Sequence, residues 1–169
     1  MNGGMKIKKL VVFYSYEGNT KFIAKTIAES IDADVLELKP VKEMNSKGFM
    51  KFIWGGQKVI MKQKPELNPF NFNPVDYDVL FIGTPVWAFT YTPALRTFFS
   101  KIKLENKKIA IFCCHEGGMK KTLDKMKKAL TGNTIIGTND FFNPLYKNKE
   151  ENELKTKMWA EKIIDEAEI

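Results

Sequence analysis

Ser15-Tyr16-Glu17-Gly18-Asn19-Thr20 sets two hydroxyls, a glycine and an asparagine between the apolar run Leu10-Val11-Val12-Phe13 and a stretch of helical periodicity starting at Thr20. Such residue types at a strand-to-helix junction suit anion binding. The first N–H groups of a helix lack acceptors, and the positive end of the helix dipole lies behind them. Gly18 lets the backbone approach a ligand closely. Tyr16, Glu17, Gly18, Asn19 and Thr20 offer backbone N–H groups, and Ser15 and Thr20 can add hydroxyl donors. A phosphate is the ligand this set would wrap. The Gly-Lys-Ser/Thr ending of a Walker loop is missing, and so is the G-x-G-x-x-G dinucleotide fingerprint. The competing reading is a plain capped turn.

Two other stretches carry chemistry-bearing residues at the ends of apolar runs. Thr84, Pro85, Val86, Trp87, Ala88 and Phe89 follow the run Val79-Leu80-Phe81-Ile82. Proline stiffens such a loop, and an aromatic there can stack on a flat ring system. A Trp87 that merely covers the core is the alternative. His115, Glu116, Gly117 and Gly118 follow Ile109-Ala110-Ile111-Phe112-Cys113-Cys114, and two glycines again permit close backbone approach. No arginine stands six residues beyond either cysteine, so the C-x5-R loop of a cysteine phosphatase is not formed. His115 is the sole histidine, and a lone loop histidine is more often incidental than catalytic. Together the three loops present a phosphate grip, an aromatic wall and a glycine-rich floor, which suits a phosphorylated planar cofactor.

These loops must be positioned by alternating elements. Apolar, β-rich segments fall at 8–15, 34–38, 78–83 and 108–114, with a weaker one at 134–142. Helical patterns fall at 20–31, 46–62, 93–102, 119–130 and 150–167, the last offering Leu154, Met158, Ile163 and Ile164 to a core. Continuous apolar runs suit strands covered on both faces, so the expected fold is a doubly wound parallel α/β sheet with helices above and below. Ligands of such sheets bind beyond the carboxyl ends of the strands, which is where the three loops lie. The Pro/Asn-rich stretch 65–74 reads as a loop, and the whole chain, 1–169, as a single domain.

The net charge of +7 comes almost wholly from lysine, with Arg96 the only arginine. The lysines are interleaved with acidic residues, and no basic run carries aromatic interleaving, which argues against nucleic acid. The charge can instead select acidic protein partners. No apolar stretch approaches the ~20 residues that span a bilayer, and residues 1–6 show no apolar signal segment, so no membrane association and a cytoplasmic location are expected. Adjacent Cys113 and Cys114 point to opposite sides of a strand and read as small buried residues, neither bridged nor metal-binding.

The residues 13–20, Gly83-Thr84-Pro85-Val86-Trp87, 93–99 and Gly117-Gly118, in this order along the chain, resemble the flavodoxin family. The resemblance implies a five-stranded sheet of order 2-1-3-4-5 and bound FMN. It places Ser15 and Thr20 at the phosphate-loop hydroxyl positions, residues 84–89 beside the flavin ring with Trp87 as ring contact, and His115, Glu116, Gly117 and Gly118 in the third loop. The family usually has Ser or Thr where Glu17 stands. A carboxylate facing a phosphate would be repelled, so Glu17 is expected to point outward and contribute its amide alone. Donors at the flavin would come from backbone, with no side-chain acid or base. The implied function is electron transfer by a flavodoxin-type carrier with redox protein partners, here acidic-surfaced ones because the chain is basic. A small FMN-dependent NAD(P)H reductase of quinones and a flavin-free binding module are the alternatives. The segment 39–76 is long enough for Trp54 and its neighbours to shape a lid, and aromatics at 49–54 and 70–72 belong either to the core or to a partner surface.

Overall fold

Uninterrupted apolar runs become the inner strands of a parallel sheet because each strand is covered twice. In the computed structural model, which describes residues 6–42 and 62–167, the strands are β1 (Lys9–Phe13), β2 (Asp34–Glu37), β3 (Val79–Pro85), β4 (Lys108–His115) and β5 (Thr134–Phe142). All pairings are parallel, and the order is β2-β1-β3-β4-β5. The helices among the described residues are α1 (Asn19–Ile31), α2 (Pro93–Lys101), α3 (Thr122–Ala129) and α4 (Lys149–Ala167). The expected doubly wound five-stranded sheet of order 2-1-3-4-5 is the one observed. The helical pattern at 46–62 and the lid around Trp54 lie outside the described residues.

Strand alternation sorts the core into two layers. Val11 and Phe13, Phe81, Ala110 and Phe112 face α1 and α4, meeting Ile23, Ile27, Ala160 and Ile163. Leu10 and Val12, Leu80 and Ile82, Ile109 and Ile111 face α2 and α3, meeting Leu95, Phe98, Leu123 and Met126. Cys113 and Cys114 fall into opposite layers, both unbridged. Phe70 and Phe72 pack against the α2/α3 layer rather than forming a free patch. No helix among the described residues is long and apolar enough to cross a membrane.

Three expectations are corrected. Leu154 and Met158 are more than half exposed. The buried stripe of α4 runs through Thr156, Ala160, Ile163, Ile164 and Ala167, and residues two positions off that stripe point to the opposite side of a helix. The helix expected from residue 119 starts at Thr122, because Lys120 sits in the left-handed region at φ 49° and cannot join a right-handed turn. β3 also runs two residues further than expected, which carries Thr84 and Pro85 into the sheet.

Gly83 exists for close packing. A Cβ there would run into the fully buried Phe112 ring on the neighbouring strand. Gly83→Ala is therefore expected to destabilise by about 1–3 kcal/mol through overpacking, read as a lowered urea midpoint with unchanged slope.

At the other end of the sheet, the Tyr77 hydroxyl donates to Asp34 Oδ2 at 2.7 Å. Burial, reinforced by that carboxylate, pushes the phenol up to about 12. The folded state thus holds a proton that the unfolded chain releases near pH 10. The resulting stability is complete below about pH 10 and is lost as pH rises through about 12. Stability of the parent protein should already decline from about pH 9, since burial raises both cysteine thiols as well. Tyr77→Phe should be less stable near neutrality yet show a shallower decline above pH 10 in urea titrations.

Candidate ligand-binding site

Strand order reverses at β1, whose neighbours β2 and β3 are reached by connections running to opposite sides. The carboxyl ends of β1, β3 and β4 there enclose an open cleft of ≈ 250 Å³. Ser15, Tyr16, Glu17, Asn19 and Thr20 line it from the first loop, Pro85, Val86 and Trp87 from the second, and Cys114, His115, Glu116 and Gly117 from the third. The three loops singled out in the sequence thus meet on one edge of the sheet. Gly18, Thr84, Ala88, Phe89 and Gly118 do not line the cleft; they shape the loops that do.

Gly18 caps α1 at φ 93°, a left-handed conformation, and a Cβ on it would press on Leu145 at 3.1 Å. This cap turns the chain from strand directly into helix. As a result the N–H groups of Tyr16, Glu17, Gly18, Asn19 and Thr20 have no acceptor among the described residues. Ser15 Oγ accepts the N–H of Lys21 at 3.1 Å, which leaves the hydroxyl proton of Ser15 to donate. Asn19 does different work: its Nδ2 donates to Asn143 Oδ1 at 3.1 Å, and its Oδ1 accepts the N–H of Leu145 at 3.0 Å. Tyr146 donates to the Glu17 carbonyl at 3.1 Å. The β5–α4 connection therefore braces the first loop from behind. Glu17 is exposed, in line with a side chain that faces solvent.

Thr20 is 1% exposed, and its Oγ1 has no hydrogen-bond partner among the described residues. The neighbouring Cys114 thiol is close enough for the hydroxyl to oppose, weakly, the strong upward push of burial on its pKa, but the pair is not in hydrogen-bonding geometry. An orphaned buried hydroxyl costs about 1–3 kcal/mol unless something completes it. Here it lies among unpartnered amides at a helix N-terminus, the environment of an anion. Burial pushes both cysteine thiols up, Cys113 to about 12, which disfavours the thiolate.

The second loop is anchored by Thr84, whose hydroxyl donates to the Pro85 carbonyl at 2.9 Å and accepts the N–H of Thr92 at 3.2 Å. Val86 N–H donates to the Cys114 carbonyl at 2.9 Å, prolonging the β3–β4 ladder to the cleft rim. Trp87 and Thr90 then exchange N–H···O bonds, each 3.0 Å, around a two-residue turn. Its central residues, Ala88 and Phe89, have φ of 46° and 62°, as in a type I′ turn. Trp87 stands edge-on to Tyr14 and Tyr16, at 5.5 and 5.8 Å between ring centres, and these rings form an aromatic wall. Phe89 does not line the cleft and is 59% exposed.

In the third loop, His115 Nδ1 accepts the N–H of Gly118 at 3.0 Å and Nε2 lies 2.9 Å from Asp140 Oδ2. An amide can only donate, so Nδ1 is unprotonated and the proton sits on Nε2, directed at Asp140. The sole histidine is a bracket that ties the glycine loop to β5. Gly118 needs its left-handed φ of 98° to turn its N–H inward. The sequence did not reveal this bracket, since Asp140 is 25 residues away. Cys114 as part of the cleft floor and the Asn143–Leu145 brace were missed for the same reason. Among the described residues no group of three or more His, Cys, Asp and Glu could hold a metal.

A five-stranded parallel sheet of order 2-1-3-4-5 with helices on both faces is the flavodoxin-like fold. The chain is a member of the flavodoxin family, whose profile, Flavodoxin, matches residues 8–163. No curated protein sequence matches it. Similar solved structures include a flavoprotein in complex with FMN from Lactobacillus acidophilus, 22% identical, covering 91% of this chain and 99% of that one at a TM-score of 0.65. A putative flavoprotein from Bacteroides uniformis is 20% identical, with 89% and 98% covered and a TM-score of 0.75. The two-electron reduced flavodoxin from Megasphaera elsdenii is 21% identical, with 91% and 99% covered and a TM-score of 0.59.

Replacing His115 by Ala removes the acceptor of Gly118 N–H and the donor to Asp140. A hydrogen bond contributes about 1 kcal/mol, so protection of the Gly118 amide from hydrogen exchange should fall about fivefold, while core amides of β1 and β4 change little. Unchanged exchange at Gly118 would mean that the bracket does not hold the loop.

Proposed function

We propose that this protein binds FMN and acts as an electron-transfer carrier. The observation that carries the reading is the orphaned Thr20 hydroxyl among the free amides of residues 16–20. A phosphate completes all of them at once, and the dipole of α1 favours its charge. Ser15 and Thr20 would donate their hydroxyl protons to it, and Glu17 would keep its carboxylate in solvent. Trp87 and Tyr16 offer flat apolar surface for a ring system. The Glu116-Gly117 backbone presents a rim without side-chain obstruction at Gly117, where a Cβ would meet nothing within 4 Å. When bound, FMN supplies the one- and two-electron chemistry, and the protein binds, orients and tunes it. The FMN complex of the Lactobacillus acidophilus flavoprotein, which shares the fold, agrees with this ligand. A carrier needs no acid or base at the cleft. Both ring nitrogens of His115 are occupied, by Gly118 and Asp140.

The test is uptake of added FMN, followed by absorbance bands near ~375 and ~450 nm that mark a bound oxidised flavin, together with Thr20→Val. Hydrogen bonds to charged groups contribute about 1.5–3 kcal/mol, so the variant should bind FMN about 10- to 100-fold more weakly. Its affinity for riboflavin, which lacks the phosphate, should be unchanged. The apo variant should be no less stable than the parent, because an unsatisfied hydroxyl has been replaced by a methyl. Equal losses for FMN and riboflavin, or no loss for either, would remove the phosphate from this site.

A further inference from the structure

Beside the cleft lies a surface that cofactor binding does not use. The tip of the second loop puts Phe89 into solvent at 59% exposure, and Met119 from the third loop is 39% exposed. Lys120 Nζ sits 6.0 Å from the Phe89 ring centre. Lys125 Nζ donates to the Phe89 carbonyl at 3.1 Å, so α3 and the turn form one surface. Lys121, which caps α3, and Lys125 and Lys128 on it recur at helical spacing and are all exposed. None of Lys120, Lys121, Lys125, Lys127 and Lys128 pairs with a carboxylate among the described residues. The lysines around α4 behave differently: Lys155, Lys157 and Lys162 each pair with a glutamate four residues away. From His115 to Leu130 these five lysines face only Glu116 and Asp124.

The backbone adds an independent sign. Ala88 and Phe89 both hold positive φ, where asparagine and glycine are the residues that fit. Non-glycine residues in such conformations cost on the order of 1–3 kcal/mol each and gather at functional positions. Phe89 gains no core burial in return. Its strained backbone serves to present a large aromatic to solvent, an apolar centre ringed by cations. That is the anatomy of a docking face with a polar rim.

We propose that Phe89 and Met119, ringed by Lys120, Lys121 and Lys125, dock a redox protein with an acidic surface. The acidity of the partner follows from the uncompensated lysines; its being a redox protein rests on the electron-transfer reading above. Trp87, which lines the cleft, flanks the turn that carries Phe89, so a partner seated on Phe89 lies beside the cleft. The lysines steer its approach, and the apolar pair provides the contact area.

The full-length protein, isotopically labelled and with or without added FMN, would be titrated with acidic cytochrome b5 and separately with basic cytochrome c. The two salt conditions, about 20 mM and about 300 mM, bracket the point at which screening shortens to ~10 Å. Cytochrome b5 should shift or broaden the amides of residues 87–90 and 119–125 at low salt, with affinity at least about tenfold weaker at high salt. The double variant Lys121→Glu/Lys128→Glu, which alters no residue of the cleft, should lose this binding and still take up FMN as the parent does. Phe89→Ser should weaken binding without changing its salt dependence. If FMN is not taken up but these shifts appear, the docking face stands and the redox reading fails. If FMN is taken up and cytochrome b5 shifts nothing, shifts other residues, or is matched by cytochrome c or by duplex DNA, the docking face is overturned.

Discussion

The site depends on a single backbone constraint, the left-handed Gly18 between β1 and α1. A longer connection would let the first amides of the helix find acceptors of their own. Gly18 removes that slack, so the N–H groups of residues 16–20 emerge together, unpartnered and in front of a helix dipole. The conformation is held from outside the loop. Asn19 reaches the Asn143–Leu145 stretch through two side-chain bonds, and Leu145 packs where a Cβ on Gly18 would stand. The first loop is therefore stabilised by the far end of the chain, through the sheet that sets β5 and α4 in place.

The same division of labour holds in the other two loops. Thr84 and His115 commit their polar atoms to internal bonds: Thr84 to backbone of Pro85 and Thr92, His115 to the Gly118 amide and the Asp140 carboxylate. To hold the planar ring proposed above, a cleft needs walls that do not shift when the ligand leaves. Side chains committed to internal bonds provide them, and backbone and aromatic surface remain for the ligand.

Fold and site were unequally legible in the sequence. Continuous apolar runs such as Leu10-Val11-Val12-Phe13 declared buried parallel strands, and the loops after them declared the edge where ligands bind. Those are local signals or follow from topology. The misjudged residues depended on distant partners or on helix rotation. Leu154 and Met158 have the right spacing for a core stripe, but Ala160 and Ile163 define the buried side, and α4 carries enough alternation to support either choice. The His115–Asp140 and Asn19–Leu145 links join segments far apart in sequence, and no periodicity reports them. Lys120 delayed the start of the expected helix to Thr122, because its positive φ serves the loop before it.

The turn at Ala88 and Phe89 shows what the chain gives up locally. Three features hold it: the paired bonds between Trp87 and Thr90, the packing of Trp87 on Tyr14 and Tyr16, and the Lys125 bond to the Phe89 carbonyl. Hydrogen bonds at about 0.5–1.5 kcal/mol each can offset the strain but leave little margin. A glycine in place of Phe89 would relax the backbone and sacrifice no core contact. Stability alone therefore does not account for an aromatic here. On the docking proposed above, the side chain repays its strain in solvent, against an acidic partner drawn by the unpaired lysines around it.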